Sequence, residues 1–145
     1  MAKRKTSKQQ AKNAPQGLRV LFIHQNFPSP FLNLARHLTT NPHNVVAAVG
    51  QIENLQYAQP VPGALLFGYP ASLLNASLPD ASLPDANLDA KAKKPTSTHT
   101  LTRNFEYCVQ RGKAAKTVFE QLAEANFTPN CIIGDPSWGE MLFVR

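Results

Sequence analysis

Apolar residues in this chain gather into four short, nearly continuous runs: 18–24 (LRVLFIH), 45–49 (VVAAV, closed by Gly50), 64–69 (ALLFGY, ended by Pro70) and 130–134 (NCIIG). Unbroken rather than alternating apolarity is the pattern of strands buried on both faces, as in a parallel sheet. Two helical patterns separate them. Ser29 and Pro30 form an N-cap and first-turn proline ahead of Phe31, Leu34, Ala35 and Leu38, and Asn41-Pro42 stops that helix. Leu101, Phe105, Cys108, Gly112, Ala115, Phe119 and Leu122 recur in steps of four and three, one face of a long helix ended before Pro129. Gly112 within that stripe costs about 1 kcal/mol relative to alanine, which implies a close backbone approach to the sheet or to a ligand. After the fourth run, Asp135-Pro136 turns the chain, and Ser137-Trp138-Gly139-Glu140 has the form of a capping box opening a further helix.

Strand, helix, strand, strand, long helix, strand with right-handed crossovers predicts a doubly wound α/β sheet in the order 3-2-1-4. Strands one and four are then neighbours whose connections leave in opposite directions. The crevice at their carboxyl ends is where ligands of such sheets bind, and it brings together 24–29 (HQNFPS) and 135–140 (DPSWGE). No glycine lies between Gly17 and Gly50, so the first connection has no dinucleotide fingerprint. A phosphate-binding G-x-x-x-x-G-K-[ST] run and a G-x-S-x-G elbow are absent too, which removes the common nucleoside triphosphatase and serine hydrolase classes.

The 145 residues suit one domain. The formal charge of +6 suggests an anionic partner, but Lys3, Arg4, Lys5, Lys8 and Lys12 all precede Gly17. Residues 18–145 carry ten basic against nine acidic groups, so the charge belongs to the tail and no nucleic-acid partner is expected. Residues 1–17 have too little apolar surface to order and read as a disordered tail able to touch an anionic membrane weakly. No secretory signal or membrane span is evident, and a cytoplasmic location is expected. A pentapeptide recurs at 76–80 and 81–85 (ASLPD), with a decayed copy at 86–89; with the lysines that follow, 71–97 reads as a low-complexity insertion. Cys108 and Cys131 have no zinc or disulfide spacing and read as buried thiols.

Three strings resemble one family in order along the chain. They are Arg19 to Pro28 (RVLFIHQNFP) with the Phe31 and Leu-Ala helix after it, Phe105-Glu106 with Val109, Arg111 and Gly112, and Trp138-Gly139-Glu140 with Leu142-Phe143. Together they resemble the N-terminal domain of the family-4-like retaining glycosyltransferases of the GT-B fold. The resemblance implies a partial Rossmann-like domain over 18–145, lying on the acceptor side of an enzyme that passes sugar from a nucleotide-sugar to a glycan acceptor. It implies no obligatory metal and no cofactor beyond the nucleotide-sugar co-substrate. It also implies that the sequence stops within the first domain, before the donor-binding half, so that the fragment alone is inactive. Ser29-Pro30 stand where the family has Gly-Gln, and Asp135 stands where it has a histidine; a carboxylate does not donate a hydrogen bond at neutral pH.

The candidate substrate-binding residues are His24, Asn26, Ser29, Arg111, Trp138, Gly139 and Glu140, with Asp135 as the candidate catalytic group. Each also has a structural reading. His24 either meets an acceptor hydroxyl or satisfies a backbone group; Asp135 acts as base or sugar acceptor, or is turn chemistry. Glu140 caps a helix with Ser137 or binds sugar, Trp138 stacks on a sugar or fills an interface, and Arg111 reaches a phosphate or points to solvent. The alternatives to a transferase domain are a non-catalytic Rossmann-like interaction module that pairs through the strand-four edge and an inactive gene fragment.

Overall fold

The computed structural model describes residues 17–75 and 100–144, so residues 1–16 of the basic tail and the pentapeptide repeats lie outside the described residues. Four strands, β1 (Arg19–Ile23), β2 (Val45–Gln51), β3 (Ala64–Tyr69) and β4 (Cys131–Gly134), pair in parallel in the order β3-β2-β1-β4. This is the α/β topology expected from the runs of apolar residues. The helices are α1 (Leu32–Thr39), α2 (Ile52–Leu55), α3 (Ser72–Asn75) and α4 (Thr100–Glu124), followed by two single 3-10 turns, Pro136–Trp138 and Glu140–Phe143.

Alternate strand residues feed opposite layers. Leu21, Ile23, Ala47, Val49 and Tyr69 pack against Ala114, Ala115, Val118 and Leu122 of α4. On the other face Val20, Phe22, Val46 and Ala48 pack against Phe27 and against Ala35 of α1. The sheet is thus covered on both sides, which is why its strands lack polar alternation. α4 is 25 residues long, about 38 Å of helix, and its buried stripe runs from Gly112 to Leu122. The aromatic end of the expected stripe is uncovered, with Phe105 64% exposed.

Several local expectations give way to tertiary contacts. Ser29 does not cap α1: the helix starts two residues beyond Pro30, with Phe31 as N-cap and the Ala35 N–H donating to the Phe31 carbonyl at 2.8 Å. The Phe31 ring sits 5.4 Å from that of Phe22, and this packing sets where the first turn begins. The segment 71–97 opens with α3, where Leu74 enters the core and Glu53 of α2 accepts the Ala71 N–H with both carboxylate oxygens, at 3.0 and 3.1 Å. A hydrogen bond from its own backbone N–H, and after it the one from Ala71, holds the Glu53 carboxyl below its usual range. Neither cysteine is the buried thiol expected: Cys131 is exposed on β4, the outer strand, and Cys108 on α4 is half-buried.

Gly112 has the close approach its position demanded, and the partner is the turn after β4. A Cβ at Gly112 would stand 2.7 Å from the Gly139 carbonyl oxygen and 2.8 Å from the Phe143 ring. Gly112→Ala gains about 1 kcal/mol of helix propensity but drives a methyl group into a backbone oxygen. The expected outcome is a lower urea midpoint than wild type, whereas Ala at the exposed neighbour Lys113 leaves the midpoint nearly unchanged.

Candidate functional site

β1 and β4 end side by side, with Ile23 in register with Gly134, so His24 and Asp135 are the first residues beyond the sheet on adjacent strands. His24 is 8% exposed; its backbone N–H donates to the Val49 carbonyl at 3.1 Å and its ring lies edge-on to Phe31. Its Nδ1 accepts the Asn26 N–H at 3.1 Å. In the neutral ring that bond puts the proton on Nε2, to which no other described residue is hydrogen-bonded. The reading in which this histidine satisfies a backbone group is thus met through Nδ1.

Asp135 accepts the Ser137 N–H at 2.8 Å and caps the turn Pro136–Trp138. The hydrogen bonds from Ser137, chiefly the backbone one, hold its carboxyl below the ordinary value, and the nearby His24 acts in the same direction. An ionised carboxylate held in this way is a hydrogen-bond acceptor and a weak base.

The expected capping box does not form. Gly139 adopts φ 95°, in the left-handed region, and breaks the chain between Ser137 and Glu140. Any side chain there would also collide with the Cys108 backbone of α4. Beyond this break Glu140 points inward, 1% exposed, and its Oε1 accepts the Tyr69 hydroxyl at 2.6 Å. Burial, reinforced by the hydrogen bond and charge of Glu140, pushes the Tyr69 phenol far above its usual range. Glu140 is therefore neither a helix cap nor a group facing the crevice; it ties the turn to the end of β3.

Arg111 is half-buried rather than solvated. Its guanidinium carbon lies 5.5 Å from the Trp138 ring centroid, an arrangement that holds the indole while leaving Trp138 43% exposed. Arg111 Nε and Glu140 Oε2 are both buried without a partner among the described residues.

Asn26 and Ser29 lie on the other side of the crevice, in a groove of about 420 Å3 completed by α2 and the chain after it: Asn54, Tyr57, Ala58 and Gln59. Asn54 Nδ2 donates to Asn26 Oδ1 at 2.6 Å and to the Gln25 carbonyl at 3.3 Å. Sequence reasoning missed these residues because α2 is one turn long and shows no periodicity. The candidates thus form three neighbouring groups: Asn26 and Ser29 in the groove, His24 and Asp135 at the strand ends, and Trp138 with Arg111 beside α4. Gly139 and Glu140 shape the turn between the last two. Among the described residues no cluster of three or more His, Cys, Asp or Glu could hold a metal ion.

Two measurements check this arrangement. Tyr69→Phe leaves a buried carboxylate oxygen unpaired, and a loss of about 1–3 kcal/mol is expected in denaturant unfolding, whereas Glu140→Gln retains an acceptor and costs less. Asp135, with its pKa lowered in the folded state, stabilises the fold above the unfolded-chain value of about 3.8, and that contribution is lost as pH falls through the folded value. Asp135→Ala is thus expected to be less stable than wild type at pH 7, with the difference shrinking progressively below about pH 4.

Residues 77–145 match the family model described as the glycosyl transferase family 4 group. That range takes in α4, β4 and the turn through Trp138, Gly139 and Glu140, while the opening string through His24 and Pro28 lies outside it. Neither a curated protein nor a solved structure matches the chain at a significant level. The similarity supports a glycosyltransferase family 4-like domain and, in general terms, a glycosyltransferase type of function.

Proposed function

We propose that this chain supplies the acceptor-side domain of a retaining GT-B glycosyltransferase that works in the cytoplasm with a nucleotide-sugar as donor and a glycan as acceptor. The observation that carries the reading is the switch-point crevice of the 3-2-1-4 sheet. There His24, whose Nε2 has no partner among the described residues, lies near the Asp135 carboxylate, which falls within the segment that matches the family. In the reaction the bond from the donor sugar's anomeric carbon to the diphosphate breaks. A new bond forms from that carbon to the acceptor oxygen, and the acceptor's hydroxyl proton leaves with the nucleoside diphosphate or to solvent. The side chains of this domain bind and orient: His24 Nε2–H donates to an acceptor oxygen, Asp135 accepts from a hydroxyl, and the open part of the Trp138 indole packs on a sugar face. Arg111, Gly139 and Glu140 are positioning residues for that indole and its turn. The nucleotide is held by a second domain across the crevice, and no metal is required.

A second reading is favoured by the β4 edge, where Cys131 and Ile132 are exposed: an interaction module that pairs through that strand. One titration separates the two. Trp138 is the only tryptophan, so the fluorescence of the chain reports on the crevice. Neutral oligosaccharides are expected to change that fluorescence and to shift the His24 ring signals in NMR, and to do so more strongly than a nucleoside diphosphate. Self-association through β4 with no response to any saccharide overturns the transferase reading.

A further inference from the structure

Tyr57 has 88% of its surface in solvent, the most of any exposed large hydrophobic side chain among the described residues. It stands in the turn after α2 as part of the wall of the groove that also holds Asn26 and Ser29. We infer that this groove binds an uncharged sugar ring, with Tyr57 as its stacking platform and Asn26, Ser29 and Gln59 as its hydroxyl-reading groups. The inference rests on the acceptor-side reading above and names the chemistry of what that side receives.

The charge of the groove selects the ligand. Among the described residues, no Asp, Glu, Lys, Arg or His lines it. Of the charged side chains on the flanking helices, Glu53 is engaged by the Ala71 N–H and Arg36 donates to the Pro60 carbonyl at 3.2 Å. A phosphate or carboxylate entering here would lose its water without gaining a cation, so anionic headgroups and nucleotides are disfavoured. Amides and a hydroxyl, by contrast, donate and accept at once, which is what a ring of sugar hydroxyls presents in return. An exposed aromatic face beside them supplies the apolar surface on which the C–H face of a sugar packs. The volume lies within the ~300–1,000 Å3 of small-ligand sites.

The groove is also ordered before any ligand arrives. Asn54 fixes the Asn26 side chain, and the Asn26 N–H is bonded to His24 Nδ1. A saccharide in this groove therefore meets Asn26, whose backbone N–H is bonded to the His24 imidazole. Tyr57 would then set which acceptors are accepted without touching the reacting atoms.

The test is an NMR titration of the whole chain with a panel of neutral disaccharides, the corresponding sugar phosphates and inorganic phosphate, on wild type, Tyr57→Ala, Tyr57→Phe and Tyr57→Trp. Neutral disaccharides are expected to shift Tyr57, Asn26 and Gln59 along with His24. Tyr57→Ala is expected to weaken binding about fivefold or more, and the Phe and Trp variants to keep it within about twofold. Since Tyr57 is exposed, all three variants should unfold at the wild-type temperature, which separates loss of the platform from loss of the fold. Equal affinity in Tyr57→Ala, or tighter binding of the sugar phosphates through these residues, overturns the inference. Shifts confined to His24 and Trp138 sink this inference alone and leave the acceptor-side reading intact; no shift anywhere with any saccharide sinks both.

Discussion

The contact on which the rest of this structure depends is the meeting of two glycines, Gly112 in the middle of α4 and Gly139 in the turn after β4. Neither has room for a methyl group: one faces the Gly139 carbonyl and the Phe143 ring, the other the Cys108 backbone. Backbone against backbone is the closest approach a helix and a loop can make, and it clamps the turn against the helix in a way no pair of larger side chains would allow. Gly139 must also take a left-handed conformation, which ends the first 3-10 turn and redirects everything after it.

Three features of the site follow from that clamp. Glu140 is swung inward to the Tyr69 hydroxyl, joining the turn to the far strand β3 across the layer beneath α4. Trp138, one residue before the clamp, is left at the surface beside Arg111, one residue before Gly112 on the helix. Asp135, at the end of β4, caps its own turn and so faces the crevice as an ionised acceptor next to His24. The buried carboxylate is an expensive way to hold a loop, since removing its partner leaves a polar atom in a dry place. Its use here means the turn is held from two directions, by helix α4 and by β3.

The sheet was legible because its signal is long and redundant: four apolar runs, each bounded by proline, glycine or asparagine, fixed the number of strands and, with the handedness of crossovers, their order. What misled was local grammar that depends on distant contacts. Ser29-Pro30 and Ser137-x-x-Glu140 both read as helix starts, yet Phe31 packing on Phe22 moved the first helix two residues on, and Gly139 cut the second motif in half. The Tyr69–Glu140 bond joins residues 71 positions apart, and no periodicity or motif could have announced it. α2 and α3 are four residues each, too short to show a helical repeat, so the groove wall formed by Asn54, Tyr57 and Gln59 was invisible. The order 3-2-1-4 already placed β4 at an edge, but an apolar run does not say which of its side chains the neighbouring layers cover, and Cys131, read as a buried thiol, is exposed.

The two sides of the crevice now differ in a way that bears on how a site of this kind divides its work. On the α4 side the groups are charged and tightly placed: Arg111 against Trp138, Glu140 locked to Tyr69. On the α2 side they are neutral and open, amides and a tyrosine around a groove that no ionised residue among the described ones lines. His24 lies between them and is bonded through Nδ1 to the neutral side, while its remaining nitrogen has no partner among the described residues. On the acceptor-side reading proposed above, a hydroxyl-rich neutral ligand gains on the α2 side what an anion would lose. On that same reading, such a division lets ligand choice vary with the short α2 segment, none of whose residues is fully buried, while the clamped turn and the strand ends stay fixed by packing.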